Sequence, residues 1–191
     1  IMAIEVFDDL ISMNIRNFIY SFAVNSKYKI VGWNDRNDLE LVNKHDLHSS
    51  WSYEDLENSK IVPYIKEALK KSKNFNTYTM SDFFSCNINA VKPNDHYYTH
   101  SHLKGTISVL YYINMEWQHN WAGETIFYKE NMRDINFTSS FVPGRLILFE
   151  DEPHTIRPQS FIGPAYRFTM ALFLKKKDRK NDKRKLLGIP K

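Results

Sequence analysis

Apolar positions along this chain follow two different rhythms. Near the start, Phe7, Leu10, Ile11, Ile15, Phe18, Ile19 and Phe22 recur at three- and four-residue steps. That spacing predicts an amphipathic helix from Glu5 to about Ala23. Asp8 and Asp9 in its first turn suit the helix dipole. Lys27 to Trp33 predicts a short strand, and the polar stretch Asn34 to Ser50 a loop. Ile61, Ile65 and Leu69 predict a second helix over Ser59 to Ser72, with Pro63 in the first turn where its missing N–H costs little. From Tyr78 onward the rhythm shortens. Apolar and aromatic runs alternate with Gly, Pro and Asn turns, predicting strands at 78–92, 105–114, 123–128, 144–149, 154–157 and 166–174. Regularly spaced short strands of this kind build a sandwich, jelly roll or barrel. Helices first and strands afterwards give an α+β fold, a β core buttressed by N-terminal helices.

Composition narrows the picture in three ways. The chain has 191 residues, enough for one domain with a sizeable core. The expected division is one domain over 1–174, with helices mainly in 1–77 and strands in 78–174, followed by a basic tail over 175–191. That tail holds nine Lys and Arg against two Asp, so the preceding residues sum to −3 within a net charge of +4. A basic average is therefore no argument for a nucleic-acid-binding body; only the tail could contact nucleic acid. No apolar run approaches the ~18 residues of a membrane span, and no N-terminal signal pattern is present. Cys86 is the single cysteine, which excludes an intrachain disulfide and fits a reducing, cytoplasmic setting.

Candidate chemistry centres on histidine. His100 and His102 are separated by one residue, which in a strand puts both side chains on one face. His154 lies about fifty residues on, in another predicted strand. Two ligands on one strand plus a distant third make a facial grip on a metal, with open positions left over. Imidazole suits zinc, copper, iron and nickel alike. A closed structural zinc site would want four ligands, usually with cysteine, so a single cysteine disfavours that reading. Taken alone, His-x-His is more often a pair of surface histidines, and His96 adds a competing imidazole.

The surrounding segments change that balance. Asp95 to His102, Gly105 to Trp117 with its Tyr111-Tyr112-Ile113-Asn114 run, Ala122-Gly123-Glu124-Thr125, Val142-Pro143-Gly144-Arg145, His154-Thr155-Ile156-Arg157-Pro158 and Tyr166-Arg167-Phe168-Thr169 occur in one order. That order resembles the prolyl 4-hydroxylase-like branch of the iron(II)/2-oxoglutarate-dependent dioxygenases, over roughly Tyr78 to Lys175. The resemblance implies a double-stranded β-helix, a jelly roll whose mouth holds iron(II), with 2-oxoglutarate and O2 as cosubstrates and ascorbate in support. It implies His100 and His154 as metal ligands. It places Arg167, thirteen residues after His154, as the anchor of the far carboxylate of 2-oxoglutarate. Arginine suits that task because its planar fork grips a carboxylate through two parallel hydrogen bonds. Thr169 and Tyr112 would add hydroxyl donors. Tyr98 would line the pocket before the first ligand, and Ile156 would pack beside the cosubstrate.

One position departs from the family pattern: His102 stands where the family carries a carboxylate. Three outcomes follow: a working three-histidine iron site, a site for another metal, or a non-catalytic metal-binding jelly roll. The leading expectation is a hydroxylase acting on a C–H bond of a prolyl or other protein residue, or of a small molecule. A three-histidine dioxygenase of cupin type, which needs no oxoacid anchor, is argued against by Arg167 and Thr169. A nucleic-acid demethylase of the same superfamily is a weaker alternative, because this chain lacks the second arginine six residues after Arg167 that such enzymes show. Asn34–Asn58 and Lys129–Phe141 are the expected substrate-selecting loops. The oligomeric state is not legible.

Overall fold

The computed structural model describes residues 3–31, 46–95, 97–102, 104–150 and 152–176. Its centre is a seven-stranded antiparallel sheet facing a four-stranded one. The strands are β1 (Ile4–Phe7), β2 (Lys29–Val31), β3 (Asp46–Ser50), β4 (Phe83–Val91), β5 (Tyr97–His100), β6 (Thr106–Tyr112), β7 (Thr125–Tyr128), β8 (Ile135–Ser139), β9 (Leu146–Glu150), β10 (His154–Ile156) and β11 (Arg167–Lys175). The helices are α1 (Met13–Val24), α2 (Tyr53–Asn58) and α3 (Val62–Lys71). The large sheet runs β1-β9-β6-β11-β4-β3-β2 and the small one β5-β10-β7-β8. From β4 onward the chain crosses repeatedly between the two sheets, which is the winding of a double-stranded β-helix.

Strand alternation divides the large sheet into two faces. On one, Ile88, Ile107, Val109, Leu148, Met170, Leu172 and Leu174 are fully buried and share a core with Ile19 and Ala23 of α1 and with Ile65, Ala68 and Leu69 of α3. Each such aliphatic side chain contributes about 1.5–3 kcal/mol by leaving water. On the other face Tyr112, Ile147 and Phe149 pack with Phe127 and Phe141 into a smaller cluster between the sheets. The helices therefore do buttress the large sheet from outside, as the α+β reading expects.

The N-terminal third corrects that reading in detail. Residues 4–7 form a strand, not the first turn of a helix, and pair in register with Leu146–Phe149. Two features override the helical periodicity there. Asp8 makes a bidentate ion pair with Arg145, both bonds at 2.8 Å, and Asp9 takes a left-handed φ of +58° that breaks the chain before α1. Residues 46–50, expected as loop, form β3 and pair with β4. The helix α2 was not anticipated, although Ser52 and Asp55 form a reciprocal capping box whose sequence signature is plain. Within 129–141, residues 135–139 are strand β8, paired with β7. The remainder of the expected loop at 34–45 and the tail beyond Lys176 lie outside the described residues. Cys86 is buried in the core, as expected of a packed thiol, and burial pushes its pKa up.

Candidate metal centre

Sheet register brings the three histidines together. His154 opens β10 and stands directly opposite His100 on β5. Directly opposed residues of an antiparallel pair hold their Cβ atoms about 4.5–5.5 Å apart, and these two rings lie 4.4 Å apart between centroids. His102 follows the end of β5 rather than continuing it, which differs from the expected strand pair. Its ring nevertheless converges, 5.3 Å from that of His100 and 4.6 Å from that of His154. One potential ligand nitrogen from each residue falls within 4.8 Å of the others.

Each of two imidazoles is steered from behind. His154 Nδ1 donates to the carbonyl oxygen of Glu152 at 2.7 Å, which leaves Nε2 with its lone pair for a metal. His102 Nδ1 is hydrogen-bonded to Ser108 Oγ at 2.6 Å. Burial lowers the pKa of His154 to about 3, with His100 adding repulsion and the Glu152 carbonyl opposing the shift. Burial, then His154 and His100, lower that of His102 to about 2. Both are neutral at ordinary pH, the state in which imidazole ligates metal.

The same cavity holds the expected anchor. It encloses about 240 Å³ and is lined by His100, His102, His154, Ile156, Thr125, Arg167 and Thr169, among others. Cavities of roughly 300–1,000 Å³ take drug-sized ligands, so this one suits a smaller molecule. Arg167 is 1% exposed. Its Nε donates to the Gly123 carbonyl at 2.9 Å and its Nη2 to Thr125 Oγ1 at 3.3 Å. The guanidinium carbon lies 4.7 Å from the centre of the Phe141 ring and 5.3 Å from that of Tyr112. Thr169, two residues on and on the same strand face, has a buried Oγ1 with no hydrogen-bond partner among the described residues. Among the described residues no Asp or Glu lines the cavity. It is a small chamber with an unsatisfied hydroxyl beside an arginine.

Other expected residues are placed differently. Tyr112 does not line the cavity. Its hydroxyl donates to Thr125 Oγ1 at 2.8 Å and its ring stacks on Phe141 at 4.3 Å, so it reaches the chamber through Thr125. Ile156 lines the wall as expected, opposite Thr125 in the small sheet. Tyr98 belongs to β5, with its side chain outside the described set, and His96 lies outside it altogether. His48, expected on an exposed loop, is on β3 and lines the cavity together with Asn87 and Asn89 of β4.

Gly123 also carries more than a turn. At φ +83°, a Cβ there would meet the Trp117 ring at 2.9 Å and Arg167 Cδ at 3.3 Å. Glycine thus leaves room for the arginine that its own carbonyl holds. The signal for it was the Ala122-Gly123-Glu124-Thr125 segment, which contains both groups that bind Arg167. Ser108 gave no signal, because nothing in its strand marks which residue faces His102.

No protein-family model and no curated protein matches the chain by sequence. Solved structures do match it by shape. A prolyl hydroxylase from Trichoplax adhaerens, in complex with a hypoxia inducible factor oxygen degradation domain peptide fragment, superposes with a TM-score of 0.68 and 16% identity, covering 98% of this chain and 87% of its own. A Pseudomonas putida prolyl-4-hydroxylase gives 0.69 and 13%, with 92% and 94% coverage. The fold is that of the 2OG-Fe(II) oxygenases of prolyl hydroxylase type. A 2OG-Fe(II) oxygenase family oxidoreductase from Burkholderia pseudomallei is also similar, at 0.65 and 10%, with 91% and 86% coverage. Among the described residues no helix is long and apolar enough to cross a membrane.

Proposed function

We propose that the chain is an iron(II)- and 2-oxoglutarate-dependent dioxygenase that hydroxylates a C–H bond. The observation that carries this reading is a single small cavity combining three convergent imidazoles with Arg167 and Thr169, in a lining that holds no carboxylate among the described residues. The residues present fit both groups. His100, with neutral His102 and His154, offers nitrogen donors to iron, and the unpartnered Thr169 hydroxyl beside Arg167 fits the far carboxylate of the oxoacid. When bound, iron and 2-oxoglutarate would supply the oxidising chemistry.

The chain's own contribution is placement. Gly123 and Thr125 hold the Arg167 guanidinium, and the Phe141 and Tyr112 rings flank it. Fixing it beforehand lowers the cost of ordering the site when the dianion arrives. Phe149, Phe173 and Ile156 give the chamber apolar walls that limit water around the reacting centre.

A prolyl or other residue of a protein is the favoured substrate. Support comes from the structurally similar Trichoplax prolyl hydroxylase, which is in complex with a peptide fragment. A buried free thiol fits a reducing, cytoplasmic location. Nucleic acid would be a partner only through the basic tail.

The test is succinate formation by the purified chain with iron(II), 2-oxoglutarate, ascorbate and air. Succinate above the metal-free control, lost in Arg167→Ala, is expected. A chain that neither binds millimolar 2-oxoglutarate in the presence of metal nor forms succinate is not an oxygenase of this class. A metal-binding jelly roll without turnover is then the remaining reading.

A further inference from the structure

The carboxylate position of the oxygenase template is not simply vacated in this chain; it is rebuilt around an imidazole. Ser108 pairs with Phe149 on one side and Phe173 on the other, so the three form one row across β9, β6 and β11. The His102 ring sits on that row. It meets the Phe173 ring edge-on at 4.6 Å and lies 5.7 Å from that of Phe149. Its Nδ1 reaches Ser108 Oγ at 2.6 Å. With the proton on Nδ1 and the serine oxygen accepting, Nε2 keeps its lone pair for a metal held with His100 and His154.

We infer that His102 is a dedicated metal ligand, that Ser108 is its positioning residue, and that the centre is a neutral three-imidazole site for a divalent first-row metal. This rests on the metal half of the function proposed above. Aspartate at this position would draw its oxygens back toward the main chain, away from the other two ligands. It would also leave a charge between two aromatic rings, with one hydroxyl to bond it. The slot therefore selects imidazole by reach, by packing and by a single hydrogen bond. Among the described residues the site carries no anionic protein ligand, so the charge of the metal is balanced by what binds there.

The test is cobalt(II) titration of the purified full chain, read by its visible ligand-field absorption and by calorimetry, without 2-oxoglutarate. The wild type is expected to bind one cobalt per chain. Ser108→Ala should weaken binding about 10- to 100-fold, as loss of a ligand's supporting hydrogen bond does elsewhere, and alter the absorption envelope. Ser108→Thr should restore both. His102→Asp should bind at least about tenfold more weakly than the wild type, on the same scale. Binding by His102→Asp equal to or tighter than wild type overturns the inference. So does an unchanged Ser108→Ala, or a wild type that takes up no cobalt. Should Ser108→Ala not fold, the His102→Asp comparison decides alone. Succinate formation is a separate readout. Cobalt binding in the expected ranking with no 2-oxoglutarate turnover would remove the oxygenase reading and leave this inference standing.

Discussion

The two faces of β11 have opposite characters although their residues alternate along one strand. Met170, Leu172 and Leu174 point toward the helices and are fully buried in an apolar core. Arg167, Thr169, Ala171 and Phe173 point toward the small sheet and line the cavity. The first set holds the sheet against α1 and α3. The second presents a cation, a hydroxyl, a small residue and an aromatic wall to whatever enters. Strand periodicity thus lets one element separate stability from chemistry at intervals of one residue. It also predicts that substitutions on the two faces fail in different ways.

The largest effect is expected on the outer face. Leu172→Ala should cost about 2–5 kcal/mol of stability, measured by urea unfolding. The fraction that remains folded should bind 2-oxoglutarate with unchanged affinity. A loss of affinity in that folded fraction would mean the faces are coupled. Arg167→Ala should do the reverse, weakening 2-oxoglutarate about 100-fold or more while metal binding persists. That is the scale on which truncating one member of a buried charge pair acts. Calorimetry with each ligand separately would check it.

Gly123→Ala probes the seam between the faces. Its left-handed φ and the close approach of Trp117 and Arg167 make any side chain strained. A loss of about 1–3 kcal/mol in stability is expected, with a drop in 2-oxoglutarate affinity that is smaller than for Arg167→Ala. Full affinity in Gly123→Ala would show that the arginine does not depend on its seat. The smallest effect, and the most diagnostic in sign, belongs to Thr169→Val. Removing a buried hydroxyl that has no partner among the described residues should leave stability unchanged or slightly higher. The same change should weaken 2-oxoglutarate by roughly 1 kcal/mol, one neutral hydrogen bond. Equal losses in both would place the hydroxyl in the fold rather than the site.

The core of the fold was legible because its signal is local. Six strand runs between 78 and 174 correspond to β4, β6, β7, β9, β10 and β11. The helix at 59–72 contains α3, whose apolar stripe and Pro63 mark it. The strand β1 was misread because its apolar residues also fit a helical period, and only its pairing with β9 and the Asp8–Arg145 ion pair decide between them. β3 and β8 are polar strands whose identity comes from partners distant in sequence. Of the site, the three histidines were visible as a spacing and the structure brings them together. Arg167 was visible only through the family resemblance, with Thr169 following by strand alternation, and both line the cavity. Ser108 and His48 were not legible, since their relation to the cavity depends on cross-strand register. Tyr112 was assigned to the pocket by the family resemblance; the Thr125 hydroxyl stands between.

The central claim is that the histidine cluster and the inner face of β11 form two halves of one site. Calorimetric titration of 2-oxoglutarate into the wild-type chain, with and without manganese(II) under otherwise identical conditions, tests this most directly. The account predicts strong binding with metal and much weaker binding without it, because the oxoacid then has only the Arg167 end to hold. Equal affinity in both conditions, or no binding in either, would contradict it.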